Sequence, residues 1–154
     1  MNILIVHHSQ FGNTARLARA TGAALAPDNV VRVIRSRVAE ESPSEGIDLL
    51  LVGAPTQIAG RRLGAHGFLK SLARHGFRGV LAAAFDTRMP GQRSRTGAAS
   101  ERIARELATS GCRNVCDAES FLVANFRGPL AEGEIDRASA WALKVAAQAA
   151  SLSA

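Results

Sequence analysis

At 154 residues, 47% apolar and 21% charged, the chain has the size and make-up of one globular domain, and no apolar run approaches the roughly 18 residues of a bilayer span. Two cysteines, Cys112 and Cys116, build neither a disulfide framework nor a four-ligand zinc site, and read as thiols packed near a sheet edge. The formal charge of +6 raises nucleic acid as a partner, but the arginines are scattered, the only lysines are Lys70 and Lys144, and no helical stretch interleaves a basic face with aromatics, so nucleic-acid binding is not expected.

Apolar periodicity divides the chain into short strand-type runs and longer helical stretches. Asn2 to His7 is a nearly continuous apolar run, as for a strand covered on both faces. It is too short for a secretory signal and lacks a basic leader, which predicts a cytoplasmic protein. Asn13 to Leu25 has a helical stripe of Leu17, Ala18, Thr21 and Leu25, ended by Pro27. Val30 to Ile34 is a second strand, Ile47 to Val52 a third, and the Pro43-containing stretch between them leaves an irregular second crossover. Ala65 to Ala73 reads as a helix and Gly79 to Phe85 as the fourth strand. Ala98 to Thr109 is a helix closed by Gly111. Ser120 to Ala124 is the fifth strand, and Glu132 to Ser151 a last helix with Trp141 and Leu143 on its packing side.

Strands alternating with helices predict an α/β doubly wound, five-stranded parallel sheet, whose ligand crevice lies outside the carboxyl ends of the strands. Three loops have that address: His8 to Thr14, Gly53 to Leu63, and Asp86 to Gly97. The first, Ser9-Gln10-Phe11-Gly12-Asn13-Thr14, joins two hydroxyls and a turn-forming Gly-Asn pair to a helix start, and contains no Lys or Arg. It can present main-chain N–H donors to an anion, or serve as a plain turn whose Ser and Thr are caps. The third loop is polar and contains Pro90-Gly91; it either covers a ligand or is a mobile connection. His7 and His8 are candidate proton donors or satisfied structural residues. Other doubly wound classes fit poorly. There is no G-x-G-x-x-G, no Gly-Lys-Ser/Thr, no G-x-S-x-G, and Gly53-Ala54-Pro55 stands where a phospho-receiver carries Asp.

The whole chain resembles the flavodoxin family. Ser9, Gly12, Asn13 and Thr14 match a Ser-x-x-Gly-x-Thr variant of its FMN-phosphate loop, and Gly53, Pro55, Thr56 and Gly60 match a Gly-x-Pro-Thr-x-x-x-Gly pattern beside the flavin ring. The resemblance implies one flavodoxin-like domain over residues 1–154, strand order 2-1-3-4-5, with FMN as cofactor. It implies a cofactor site of Ser9 to Thr14, then Pro55, Thr56, Gln57, Ile58, Ala59 and Gly60, then Phe85, Asp86, Thr87 and Arg88. Phe11 replaces a hydroxyl, and no Tyr is present to stack on the ring; Trp141 lies in the last helix, which leaves Ile58, Phe85 and Arg61 as substitutes. The implied activity is electron transfer, or NAD(P)H-dependent reduction of a quinone-like acceptor. The partner is then a redox protein or a small-molecule acceptor. From another class, a flavin-free binding or regulatory module stands as the alternative.

Overall fold

A computed structural model describes residues 1–41, 44–56, 64–91 and 98–154. Its elements are β1 (Asn2–His7), α1 (Asn13–Leu25), β2 (Val30–Arg35), α2 (Ser36–Ala39), β3 (Leu49–Pro55), α3 (His66–Ser71), β4 (Leu81–Arg88), α4 (Ala99–Thr109), β5 (Arg113–Asn114), β6 (Glu119–Leu122) and α5 (Glu134–Ser153). The sheet is parallel in the order β2-β1-β3-β4, with β5 and β6 in line along the outer side of β4. This is the predicted order, with one correction. The fifth strand is two pieces, because the step from Ala82 to Phe85 along β4 is matched by Asn114 to Glu119 outside it, two residues more.

Continuous apolar runs in β1, β3 and β4 follow from burial on both faces. Ile3, Ile5, Leu49, Leu51, Leu81, Ala83 and Phe85 face α1 and α5, where Leu17, Leu25, Ala142 and Val145 cover them. The alternate residues Leu4, Val6, Leu50, Val52, Ala82 and Ala84 meet Ala39, Phe68, Leu69, Ile103 and Leu107 on the other side. Across β3 and β4, Gly53 pairs with Phe85, the end of whose ring fills the space over the glycine; a Cβ there would stand 2.2 Å from Phe85 Cζ. Phe85 then packs edge-on against Phe121 and Trp141, with centroids at 6.3 and 5.8 Å. Among the described residues, no helix is long and apolar enough to cross a membrane.

Several boundaries differ from the sequence reading for local reasons. β3 starts at Leu49 because Asp48 is engaged with Asn2, its N–H donating to the Asn2 carbonyl and its carboxylate accepting from the Asn2 N–H. It runs on through Gly53 and Pro55, which read as loop residues, because Phe85 fills the space over the glycine. β4 likewise continues through Asp86, Thr87 and Arg88. The irregular second crossover contains the single turn α2, and Pro43 lies outside the described residues. In α5, Trp141 is on the packing side but Leu143 is half exposed. The cysteines are both free and sit on opposite faces of the sheet edge. Burial pushes the Cys112 thiol up to about 11, and burial followed by the nearby Asp117 and Glu119 raises Cys116. Neither is a reactive thiolate near neutrality.

The first turn of α5 is fastened to the sheet by one ion-paired group. Arg137 donates to both Glu134 oxygens (2.9 and 2.8 Å), to Glu119 (3.0 Å) and to the Ser120 carbonyl, and its guanidinium lies 4.4 Å from the Phe121 centroid. Glu134 also accepts the Leu122 N–H at 2.6 Å. The Arg137 hydrogen bond, opposed by burial and reinforced by the Leu122 N–H, holds the Glu134 carboxyl below its ordinary value of 4.5. A carboxyl depressed in the folded state contributes stability above its unfolded pKa, and that contribution is lost as pH falls through the folded value. Urea midpoints between pH 6 and pH 3 should therefore fall less steeply for Glu134→Gln than for the wild type.

Candidate functional site

The carboxyl ends of β1, β3 and β4 lie side by side at one end of the sheet, and the loop after β1 leaves from there. Ser9 Oγ accepts the Gly12 N–H at 3.1 Å, closing a tight turn. Gly12 has φ +90°, a left-handed conformation that suits glycine, and a Cβ built on it would meet nothing within 4 Å. The chain then enters α1, a 13-residue helix that starts without a side-chain cap and with no acidic residue in its first turn. First-turn N–H groups have no partner within the helix, so the start of α1 offers main-chain donors at the positive end of the helix dipole.

The loop's side chains are engaged elsewhere. Thr14 is buried and shares a 2.9 Å hydrogen bond with the Thr87 hydroxyl of β4. Asn13 donates from Nδ2 to the Arg127 carbonyl at 3.2 Å. Phe11, which replaces the hydroxyl found in the resembling loop, is 40% exposed and packs edge-on against Phe126 at 5.3 Å. An anion at this loop would thus be held by the backbone. The hydroxyls of Ser9 and Thr14 both make internal bonds.

Behind the loop lies a buried carboxylate. Asp86 is fully buried, and its Oδ2 accepts three hydrogen bonds, from Thr56 Oγ1 (2.8 Å), the Ser100 N–H (3.0 Å) and Ser100 Oγ (3.1 Å). Thr56 Oγ1 in turn accepts the Ala99 N–H at 2.8 Å. Ala98, the residue before α4, has no side-chain acceptor, so the first amides of α4 are capped by groups from the ends of β3 and β4. Glu101 adds half of a capping box by accepting the Ala98 N–H at 3.1 Å. Asp86 Oδ1 has no hydrogen-bond partner among the described residues.

His7 is the last residue of β1, and its buried Nδ1 also has no partner among the described residues. Burial, then Arg19, Arg35 and His8, lowers its pKa; burial lowers that of His8. Both imidazoles are neutral at pH 7, which suits packing better than proton donation. The His8 N–H donates to the Gly53 carbonyl at 2.9 Å. Its ring lies so close to Gly64 that a Cβ there would meet it at 2.0 Å.

The expected site residues therefore divide into groups. Ser9 to Gly12 form a turn that leads into Asn13 and Thr14 at the start of α1, and Pro55 ends β3 with Thr56 directly after it. Phe85, Asp86, Thr87 and Arg88 belong to β4 and not to a loop. Phe85 is a core residue, Asp86 and Thr87 are internal hydrogen-bonding groups, and Arg88 is half-buried. Gln57, Ile58, Ala59 and Gly60, with Arg61 and Arg62, lie outside the described residues, as do positions 92–97 of the third loop. The sequence reading missed the turn after β6, where Phe126 and Arg127 reach the first loop. Its signal was Phe126-Arg127-Gly128-Pro129, a Gly-Pro punctuation directly after a strand.

Among solved structures, the chain superposes on oxidised flavodoxin 2 from Bacillus cereus with a TM-score of 0.76 at 22% identity, covering 96% of this chain and 99% of that one. The chain has a flavodoxin-like fold. A flavodoxin from the domain Archaea matches at TM-score 0.77 and 19% identity, over 97% and 99% of the two chains. Rubredoxin oxygen:oxidoreductase from Desulfovibrio gigas matches 99% of this chain with only 37% of its own length, at TM-score 0.71 and 16% identity. No protein-family model matches the chain, and no curated protein matches it by sequence. Within this flavodoxin-like frame, Asp86 and Thr56 set the base from which the loops after β3 and before α4 depart.

Asp86→Ala leaves the Thr56 hydroxyl and the Ser100 N–H and hydroxyl without their acceptor and is expected to cost about 3 kcal/mol in urea unfolding at pH 7. Asp86→Asn can keep its oxygen at the Oδ2 position and turn its NH2 toward the unpartnered side. It should cost less than the alanine variant.

Proposed function

We propose that the chain, as one flavodoxin-like domain over residues 1–154, binds FMN across the carboxyl ends of β1, β3 and β4 and uses it for redox chemistry. The observation that carries this reading is the uncapped start of α1 behind the left-handed Gly12, which opens main-chain donors to an anion at the end of a central strand. The residues fit a terminal phosphate, since Gly12 leaves room above the turn and the loop adds no opposing carboxylate. When bound, the flavin supplies the capacity to take up one or two electrons, while the protein supplies binding and orientation. The amides of Phe11, Asn13 and Thr14 would hold the phosphate, the Gly12 N–H being engaged by Ser9 Oγ. Pro55, Thr56 and the segment Gln57 to Gly60 would flank the ring, with Arg88 at the end of β4.

Solved neighbours described as flavodoxins support electron transfer to a redox partner protein as the first reading. A second reading, NAD(P)H-dependent reduction of a small quinone-like acceptor, is favoured by the charge of +6 and by Arg88, because cations near a reduced flavin stabilise its negative charge.

Titration of FMN with apoprotein, followed by quenching of flavin fluorescence, should saturate at one flavin per chain. Riboflavin should bind about tenfold more weakly, as a phosphate at a helix N-terminus implies. Equal affinity would remove the phosphate-loop assignment, and no binding of either would leave the flavin-free module. Anaerobic dithionite titration of the loaded protein separates the two redox readings: two distinct one-electron steps point to electron carriage, one two-electron step to acceptor reduction.

A further inference from the structure

We infer that Arg127, in the turn after β6, is the cationic phosphate-recognition residue of this site, on a part of the chain that the phosphate-loop motif does not include. The inference rests on the reading of Ser9 to Thr14 as the phosphate loop and adds a second wall to it.

The turn is built as a closed unit. Val123 and Leu130 form an antiparallel bridge, the Ala124 N–H donates to the Pro129 carbonyl at 2.8 Å, and the Ala131 N–H to the Leu122 carbonyl at 2.9 Å. At its tip Asn125 accepts twice, from the Arg127 N–H at its side-chain oxygen (3.1 Å) and from the Gly128 N–H at its carbonyl (2.9 Å). Gly128 has φ +98° and lies against the Asn13 side chain, where a Cβ would meet Asn13 Oδ1 at 2.5 Å. The close approach lets Asn13 Nδ2 donate to the Arg127 carbonyl.

Two further contacts seat the turn on the first loop. Phe126 packs on Phe11, and the Arg127 guanidinium lies 5.5 Å from the Phe11 centroid. Both rings are unusually exposed for their size, at 40% for Phe11 and 49% for Phe126, so the pair does not serve the core. Its effect is to hold a cation beside a loop that has none of its own. The described ion pairs all engage Arg137, and none engages Arg127. A guanidinium presents a planar fork of donors suited to phosphate oxygens. Held against an aromatic face on a rigid turn, it loses less freedom on engaging a ligand than a free surface arginine would. The anchoring bond from Asn13 goes to the Arg127 carbonyl, so replacing the side chain leaves that bond in place.

The test compares FMN and riboflavin affinities for wild type, Arg127→Gln and Arg127→Lys at two salt concentrations. Arg127→Gln should weaken FMN about fivefold, as for one partly exposed charge interaction. It should leave riboflavin unchanged and flatten the salt dependence of FMN binding, while Arg127→Lys retains more of the FMN preference than Gln does. The inference is overturned if Arg127→Gln binds FMN as the wild type does, or if FMN and riboflavin weaken equally, which would make the turn a structural wall only. A wild type that binds both flavins equally would instead remove the phosphate-loop reading itself, a result separate from either.

Discussion

One buried carboxylate organises the working end of this molecule. Asp86 sits inside the sheet with no exposure, and its Oδ2 takes hydrogen bonds from Thr56 at the end of β3 and from Ser100 in the first turn of α4. A carboxylate in a protein interior is tolerated only where donors replace its lost water. Here the replacement donors come from the end of β3 and the first turn of α4, and they meet on β4. The ends of β3 and β4 and the start of α4 are therefore positioned together, and so are the departure points of the loops after β3 and before α4. The carboxyl oxygen also lies at the N-terminal end of α4, where the macrodipole favours an acceptor.

The neighbouring helix start is treated in the opposite way. α4 receives acceptors from Thr56 and Asp86, while α1 begins behind Gly12 with no side-chain cap at all. Each helix start carries amides without partners inside the helix, and the two are handled differently: that of α4 is capped by groups that fix the fold, and that of α1 has no side-chain cap. Thr14 and Thr87 link the two regions through their buried hydroxyl pair.

The outer edge of the sheet solves a different problem. β5 and β6 together cover β4 but with two extra residues between their registers, so neither piece alone is long enough to hold its place. Arg137 and Glu134 of α5 supply the missing fastening by binding Glu119, the Ser120 carbonyl and the Leu122 N–H of β6. This fixes where β6 ends, and so where the turn bearing Phe126 and Arg127 emerges toward the first loop.

The sequence by itself determined the layer architecture. Continuous apolar runs at Asn2 to His7 and in the leucines around Leu50 permit only strands covered on both faces, and the 3.6-residue stripes between them permit only helices on those faces. The turn from Ser9 to Thr14 was legible too, because Gly12 and a helix start have local signals. What only the tertiary structure decided was the state of residues whose partners are remote in sequence. Asp86-Thr87-Arg88 has loop composition, yet Thr56, Ser100 and Thr14 satisfy Asp86 and Thr87 inside a strand. Phe85 was a candidate ring contact until Gly53, 32 positions earlier, gave its side chain a place in the core. Arg127 stands 114 residues from Asn13, and no local pattern brings them together; only docking of the turn after β6 does. Periodicity reports which face a residue takes, because burial repeats along the chain. Hydrogen-bond partnership across the sheet does not repeat, and it was settled by packing alone.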